Sequence, residues 1–386
     1  MIARPQHLRS IDAAFRRANV VAILGARQVG KTTLALQYAS RRRGPTTRFD
    51  LDDPAAVARL DEPMPALQGL GGLVILDEVH RRPDLFPVFR VLADRPRSGT
   101  RFLVLGSASP ALLKQTSESL AGRIAYHDLG GLNLDEVGVG KIDRLWVRGG
   151  FPPSYLARDD TAADGWRRDL LRTYLERDLP DFGVTVPSAT LRRFWTMLAH
   201  WHGQIWSSAE FARSFGVADT TVRRYLDLLA ATFMVRLLPP FHENIAKRQV
   251  KSPKVYLVDS GLLHTLLGVR TRGDLDVHPR LGASWEGFAM AQLIAHLGAR
   301  AEECFFWATH TGAELDLLVM RGRKRLGFEF KRTEAPRITP SMRSALADLR
   351  LDRLDVVHAG RETYPLGERT RAVALGRILA DVEPLR

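Results

Sequence analysis

Gly25-Ala26-Arg27-Gln28-Val29-Gly30-Lys31-Thr32 is a complete G-x-x-x-x-G-K-T loop, set between the apolar run Val20-Val21-Ala22-Ile23-Leu24 and a stretch with helical periodicity. The run predicts a buried parallel strand. Thr33 to Arg43, with Leu34, Ala35 and Tyr38 on one side, predicts the helix that follows. A loop of this kind cradles phosphates: Gly25 and Gly30 let backbone N–H groups of Gly25 to Thr33 wrap the anion, and the helix dipole faces the same charge. Lys31 is expected to reach the β- and γ-phosphates, and the Thr32 hydroxyl to ligate Mg²⁺. The cofactors expected from this stretch are therefore ATP and Mg²⁺.

Working outward, Thr46 to Asp53 reads as a second strand ending in acids. Leu73-Val74-Ile75-Leu76-Asp77-Glu78 is an apolar run delivering two carboxylates to a strand's carboxyl end, where ligands of open α/β sheets sit. This is a Walker B pattern, in which Asp77 holds the metal and Glu78 orients the attacking water. Arg82 to Asp94 reads as a helix. Arg101 to Ser107 reads as another buried strand, placing Ser107 or Ser109 where a hydroxyl meets the γ-phosphate, although a serine there is also an ordinary helix cap. Leu120-Ala121-Gly122-Arg123 closes a short predicted helix that begins near Pro110.

These motifs, with Gly106-Ser107, Arg148-Gly149-Gly150-Phe151-Pro152 and Tyr256-Leu257-Val258-Asp259-Ser260-Gly261-Leu262, resemble a prokaryotic family of AAA-type ATPases that joins an AAA module to a C-terminal domain of unknown function. The resemblance spans nearly the whole chain. It implies an AAA sheet topology, a homo-oligomer, and an arginine finger at Arg123. A surface arginine pairing locally is the other reading of that residue.

Composition bounds the rest. The 386 residues exceed one ordinary core, so the expected domains are 1–140 (ATPase), 141–240 (helical linker and winged helix) and 241–386 (nuclease-like α/β). Lys and Arg number 56 against 43 Asp and Glu, a net charge of +13, and only eight of the basic residues are lysines. Arginine suits phosphate forks, but it also serves as plain solvated surface. The sole cysteine, Cys304, excludes disulfides within the chain and cysteine-zinc clusters, and fits the reducing cytoplasm. No apolar run reaches membrane-spanning length.

In the middle region, Trp166 to Leu179 carries a helical apolar pattern. Ser207 and Glu210 have capping-box spacing before a short helix that Gly216 ends. Asp219 opens a second helix with Val222, Tyr225, Leu226, Leu229 and Phe233 as its buried stripe. Val235 to Leu238 follows as a wing strand. This is a winged-helix pattern, with Arg223 and Arg224 facing either DNA or a neighbouring domain.

In the last third, Ala313 to Val319 and Leu326 to Lys331 read as a hairpin around a basic turn, Arg321 to Arg325, followed by a helix from Pro340 and a strand from Leu354. Alternation puts Glu329 and Lys331 on one face and Phe328 and Phe330 on the other, with Asp316 on the neighbouring strand. The D…E-x-K hairpin resembles the PD-(D/E)xK nuclease core, in which Glu286 takes the first acidic position. That resemblance implies a second divalent metal held by Glu286, Asp316 and Glu329, with Lys331 supporting the nucleophile or the charged transition state. The other reading keeps the fold for binding, with Lys331 neutralising Glu329. Basic clusters at Arg41 to Arg43, Arg81-Arg82, Lys247-Arg248 with Lys251 and Lys254, and Arg321 to Arg325 read as solvated surface or as a path for a phosphate backbone. The expected partner is DNA, branched or single-stranded, and the expected activity is ATP-driven remodelling, branch migration or repair. A nucleotide-gated switch for protein partners and an ATP-dependent metal nuclease are the alternatives.

Overall fold

The computed structural model describes residues 2–385 apart from 96–98, 108–119, 121, 183, 243–249 and 311. The chain divides into two compact units: Met1–Gly131 with Leu228–Met234, and Leu132–Asp227 with Val235–Arg386. This division does not fall at residues 140 and 240.

In the first unit, α1 (Pro5–Phe15) precedes β1 (Val20–Leu24), and α2 (Lys31–Ser40) follows it. β2 (Thr46–Asp50), β3 (Leu73–Asp77), α3 (Leu85–Ala93), β4 (Arg101–Gly106) and β5 (Ile124–Asp128) complete the elements that position the site. The sheet runs β2-β3-β4-β1-β5 and every pair is parallel. β1 and β3 are buried along their whole length, which is why they read as unbroken apolar runs rather than alternating ones. Val74, Leu76, Phe89, Phe102 and Val104 share one core, each large side chain adding about 1.5–3 kcal/mol of burial. Because all strands are parallel, the ends of β1, β3 and β4 meet at one edge.

The second unit holds α4 (Ile142–Arg148), α5 (Asp160–Thr173), α6 (Ser188–His200), β6 (Gln204–Ile205), α7 (Ser208–Phe215), α8 (Asp219–Ala231, whose last turn counts with the first unit), β7 (Val235–Leu238) and β8 (Lys254–Leu257). α9 (Ser260–Leu266), α10 (Leu281–Leu297), β9 (Cys304–Ala308), β10 (Glu314–Arg321), β11 (Lys324–Lys331), α11 (Pro340–Asp348), β12 (Arg353–His358), β13 (Tyr364–Gly367) and β14 (Thr370–Ala374) follow. β8 lies between β6 and β7 in a three-stranded antiparallel sheet. The larger sheet runs β13-β14-β12-β11-β10-β9, with β10 and β11 as an antiparallel hairpin and β12 parallel to β11.

The two motifs Arg148 to Pro152 and Tyr256 to Leu262 hold each other. The buried Asp259 carboxylate accepts from the N–H groups of Gly150 at 2.6 Å and Leu262 at 2.8 Å. Beside it, Arg167, 1% exposed, donates to Thr265 and Ser154 hydroxyls at 2.7 and 3.0 Å. A buried guanidinium is tolerated only when satisfied in this way.

Several expectations need correction. Ser207 caps α7 by position but makes no side-chain capping bond, so the capping box is absent; Ser208 instead donates to Asp219 at 3.2 Å. The basic turn shrinks to Gly322-Arg323 between β10 and β11, and Arg321 is committed to Glu303 at 2.6 and 2.9 Å. Lys254 is not surface: it is 4% exposed. Arg81 pairs with Asp52 at 2.5 Å and Arg82 with Asp84 at 2.7 Å. Ser109, the helix from Pro110, and Lys247-Arg248 lie outside the described residues.

Candidate functional site

Three strand ends build the first site. After β1, the phosphate loop turns into α2, whose N-cap Gly30 takes φ 100°, a conformation that L side chains rarely adopt. Gly25 is required for a different reason from the one expected: a Cβ there would stand 2.3 Å from the Leu129 carbonyl oxygen. Its constraint is close approach of two backbone segments. Lys31, 5% exposed, donates to the carbonyls of Gly25 and Ala26 at 3.0 Å each and to Ser107 Oγ at 2.9 Å. Its ammonium thus lies across the mouth of the loop, where a phosphate would be met. Arg27 of the loop is 3.6 Å from Asp52.

After β3, the Asp77 carboxylate accepts from the Thr32 hydroxyl at 2.7 Å. Burial pushes the Asp77 carboxyl up; the Thr32 bond opposes this, and the nearby Glu78 and Asp50 charges add to it. A hydroxyl and a buried carboxylate side by side are hard oxygen donors suited to Mg²⁺, and a divalent cation would relieve the cost of ionising Asp77. The residues present fit the ion expected from the sequence.

Glu78 takes φ 52°, unusual for a non-glycine residue and costing on the order of 1–3 kcal/mol. That turn aims its carboxylate at Ser107 Oγ, which donates to it at 3.0 Å, and at His80 Nδ1, 3.2 Å away. Burial works to raise the Glu78 carboxyl, but the His80 bond, the Lys31 and His80 charges and Ser107 outweigh it and hold the pKa at about 2. Ser107, at the end of β4, therefore joins Lys31 to Glu78.

Arg123 stands apart from this edge. It precedes β5, whose first residue, Ile124, pairs with Val20 at the start of β1. The phosphate loop leaves the other end of β1, roughly 13–17 Å away at the usual strand rise. Arg123 Nε is 2.7 Å from Asp94 Oδ1.

Sequence reasoning missed Arg48 and His80. Arg48 on β2 reaches Asp50 at 2.9 Å and Asp77 at 3.4 Å. Period-2 alternation does put Arg48 and Asp50 on one face of β2, but the reach to Asp77 depends on the β2-β3 pairing, where Asp50 stands opposite Asp77.

In the second unit, the structure brings Glu286, Asp316, Glu329 and Lys331 within electrostatic reach of one another. Lys331 Nζ is 3.0 Å from Glu329 and 3.7 Å from Asp316, and the Phe330 N–H donates to Asp316 at 3.0 Å. Three further residues belong to the cluster. Lys254 forms ion pairs with Glu314 and, at 3.5 Å, with Asp316, while the Tyr256 hydroxyl donates to Glu286 at 2.9 Å. Burial and the Asp316 charge push Glu286 up to about 7 and Glu329 to about 8. Burial works against the Lys254 charge, but Asp316, Glu286 and Glu314 more than offset it and raise its pKa. Among the described residues, no three acidic, histidine or cysteine side chains are placed to share a metal ion. The expected second metal therefore lacks support here: the cations closest to these carboxylates are lysines.

A parallel sheet carrying the phosphate loop, Asp77-Glu78 and Ser107 at one edge defines a P-loop nucleotide-binding protein of the AAA class. An AAA domain model matches residues 17–138, and two domains of unknown function, DUF8612 and DUF4143, match 139–273 and 281–378. Uncharacterized proteins of Mycobacterium tuberculosis (Rv2008c) and Mycobacterium bovis (Mb2031c) are each 50% identical over 98% of this chain and 85% of theirs. The chain belongs to their family. Among solved structures, the Walker-type ATPase of Pyrococcus abyssi aligns at 13% identity, TM-score 0.47, covering 69% of this chain and 96% of that one. The Thermotoga maritima RuvB Holliday junction branch migration motor aligns at 18% identity, TM-score 0.30, covering 62% and 90%. Likenesses this distant say nothing about this chain's task. No helix among the described residues is long and apolar enough to cross a membrane.

Proposed function

We propose that the N-terminal unit binds and hydrolyses ATP. The observation that carries this reading is the Thr32 hydroxyl set 2.7 Å from the Asp77 carboxylate at the head of α2, with Glu78 next in the chain. Thr32 and Asp77 would hold Mg²⁺, which supplies neutralisation of the β- and γ-phosphate oxygens. Backbone N–H groups from Gly25 to Thr33 bind the phosphates, and Lys31 exchanges its loop carbonyls for phosphate oxygens. Glu78 is ionised at neutral pH yet, at a pKa of about 2, is a weak base. It serves to orient the attacking water and accepts its proton late. Ser107 fixes the Glu78 carboxylate, and Arg123, set at the far edge of its own sheet, acts on the nucleotide of a neighbouring copy in a homo-oligomer. The single buried Cys304 supports a cytoplasmic setting.

ATP binding and turnover in two variants test this. Lys31→Ala is expected to lose ATP binding, whereas Glu78→Gln keeps binding and loses turnover about 10²–10⁴-fold. Equal loss of ATP affinity in both variants would remove Glu78 from the hydrolytic step.

A second reading, action on branched or single-stranded DNA, is favoured by one feature. On α8, Val222 and Leu226 are buried while Arg223 and Arg224 are exposed. Two phosphate contacts would contribute about 2 to the slope of log affinity against log salt. Arg223→Ala/Arg224→Ala should flatten the slope by that amount on any DNA form; an unchanged slope would reassign the helix to packing.

A further inference from the structure

The nuclease-like core implies a divalent ion, and the described residues do not fit one. Lys254 stands on the central strand of its sheet, paired with Ile205 on one side and Leu238 on the other. Its side chain is 5% exposed and its ammonium lies 5.6 Å from the centre of the Phe306 ring, held between Asp316, which is buried, and the partly exposed Glu314. It touches Glu314 and Asp316. Lys331, by contrast, has a side chain 45% exposed and can swing away from Glu329. A metal entering between Asp316 and its neighbours would have to place its charge beside a nearly buried ammonium already paired with two of the carboxylates, at a repulsion that grows as water is excluded.

We infer that Lys254 takes the place of the divalent cation in the C-terminal acidic cluster, so that the cluster is an ion-pair core joining β8, β10, β11 and α10 and not a metal-dependent hydrolytic centre. Four carboxyl groups (Glu286, Glu314, Asp316, Glu329) face two ammonium groups (Lys254, Lys331). The protons retained by Glu286 and Glu329 near neutrality supply most of the remaining balance. Removing Lys254 while keeping the carboxylates would leave an uncompensated buried acidic group, which is the condition for a metal site.

The test is a Mn²⁺ titration of the full chain without nucleotide, following free Mn²⁺ by electron paramagnetic resonance up to millimolar concentration. Wild type and Asp316→Asn should bind Mn²⁺ identically. Lys254→Met should gain one equivalent, and Asp316→Asn in that background should remove it. A wild-type equivalent lost in Asp316→Asn overturns the inference outright, without needing the Lys254 variant to fold. A folded Lys254→Met protein that gains no Mn²⁺ overturns the role given to Lys254.

Discussion

Asp77 and Asp316 are both 5% exposed aspartates flanked by a second carboxylate and a basic side chain. They differ in the cation beside them. Arg48, which reaches Asp77 at 3.4 Å, has a side chain 37% exposed and also leans on Asp50. Lys254, which reaches Asp316 at 3.5 Å, stands on the central strand β8 with a side chain only 5% exposed. The arginine has open space beside it to swing into, whereas the lysine is nearly buried between two carboxylates. What separates a candidate metal site from an internal salt bridge in this chain is the freedom of the counter-ion, and the carboxylates themselves are nearly alike.

The largest expected effect tests whether the first site is open to a neighbour. Arg123→Ala should cut ATP turnover about 10³–10⁵-fold, the usual contribution of an arginine finger. Mixing it with Glu78→Gln protein should restore part of the activity through hybrid interfaces. Co-assembly without rescue would make the site self-contained and Arg123 only a partner of Asp94.

A smaller effect tests closure of the second site. The Glu329 pKa is raised from 4.5 to about 8, so the folded state holds its proton more tightly than the unfolded state does. The stabilisation is complete below pH 4.5 and is lost as pH rises towards 8. Glu329→Gln, which fixes the uncharged form, should therefore melt on the order of a few degrees higher than wild type at pH 8 and about level with it near pH 4.5. The same difference at both values would deny Glu329 its buried proton.

The smallest effect concerns Arg48. As a competitor for Asp77, its removal in Arg48→Ala should lower the Mg²⁺ needed for half-maximal turnover by about two- to fivefold, the worth of a partly exposed ion pair. An unchanged requirement would erase the proposed difference between the two counter-ions.

Much of the first site was legible because its signals are local. The loop, the apolar strand and the acids at its end lie in order along the chain, and a parallel sheet places strand ends together with no further information. The second site was half legible. Alternation along one hairpin set Glu329 beside Lys331, but Lys254 belongs to a different sheet, and its neighbours in sequence, Lys247, Arg248 and Lys251, made it read as surface. Nothing short of the tertiary pairing could bury it, although its place in Lys254-Val255-Tyr256-Leu257, a strand whose four residues are all buried, was a usable hint. The reason for Gly25 was equally hidden, since the carbonyl that excludes a side chain there belongs to Leu129.

If Arg123, just before β5, is the proposed finger acting in trans, its position also restricts how copies of the chain can meet. A residue at one edge of a sheet that serves a nucleotide bound at the opposite edge of the next sheet calls for two different surfaces, one giving and one receiving. A two-fold dimer burying a single patch on each copy would leave at least one of these surfaces empty. Head-to-tail contact fills both, and it either closes into a ring, in which every nucleotide has a finger, or runs on as a filament whose terminal site lacks one.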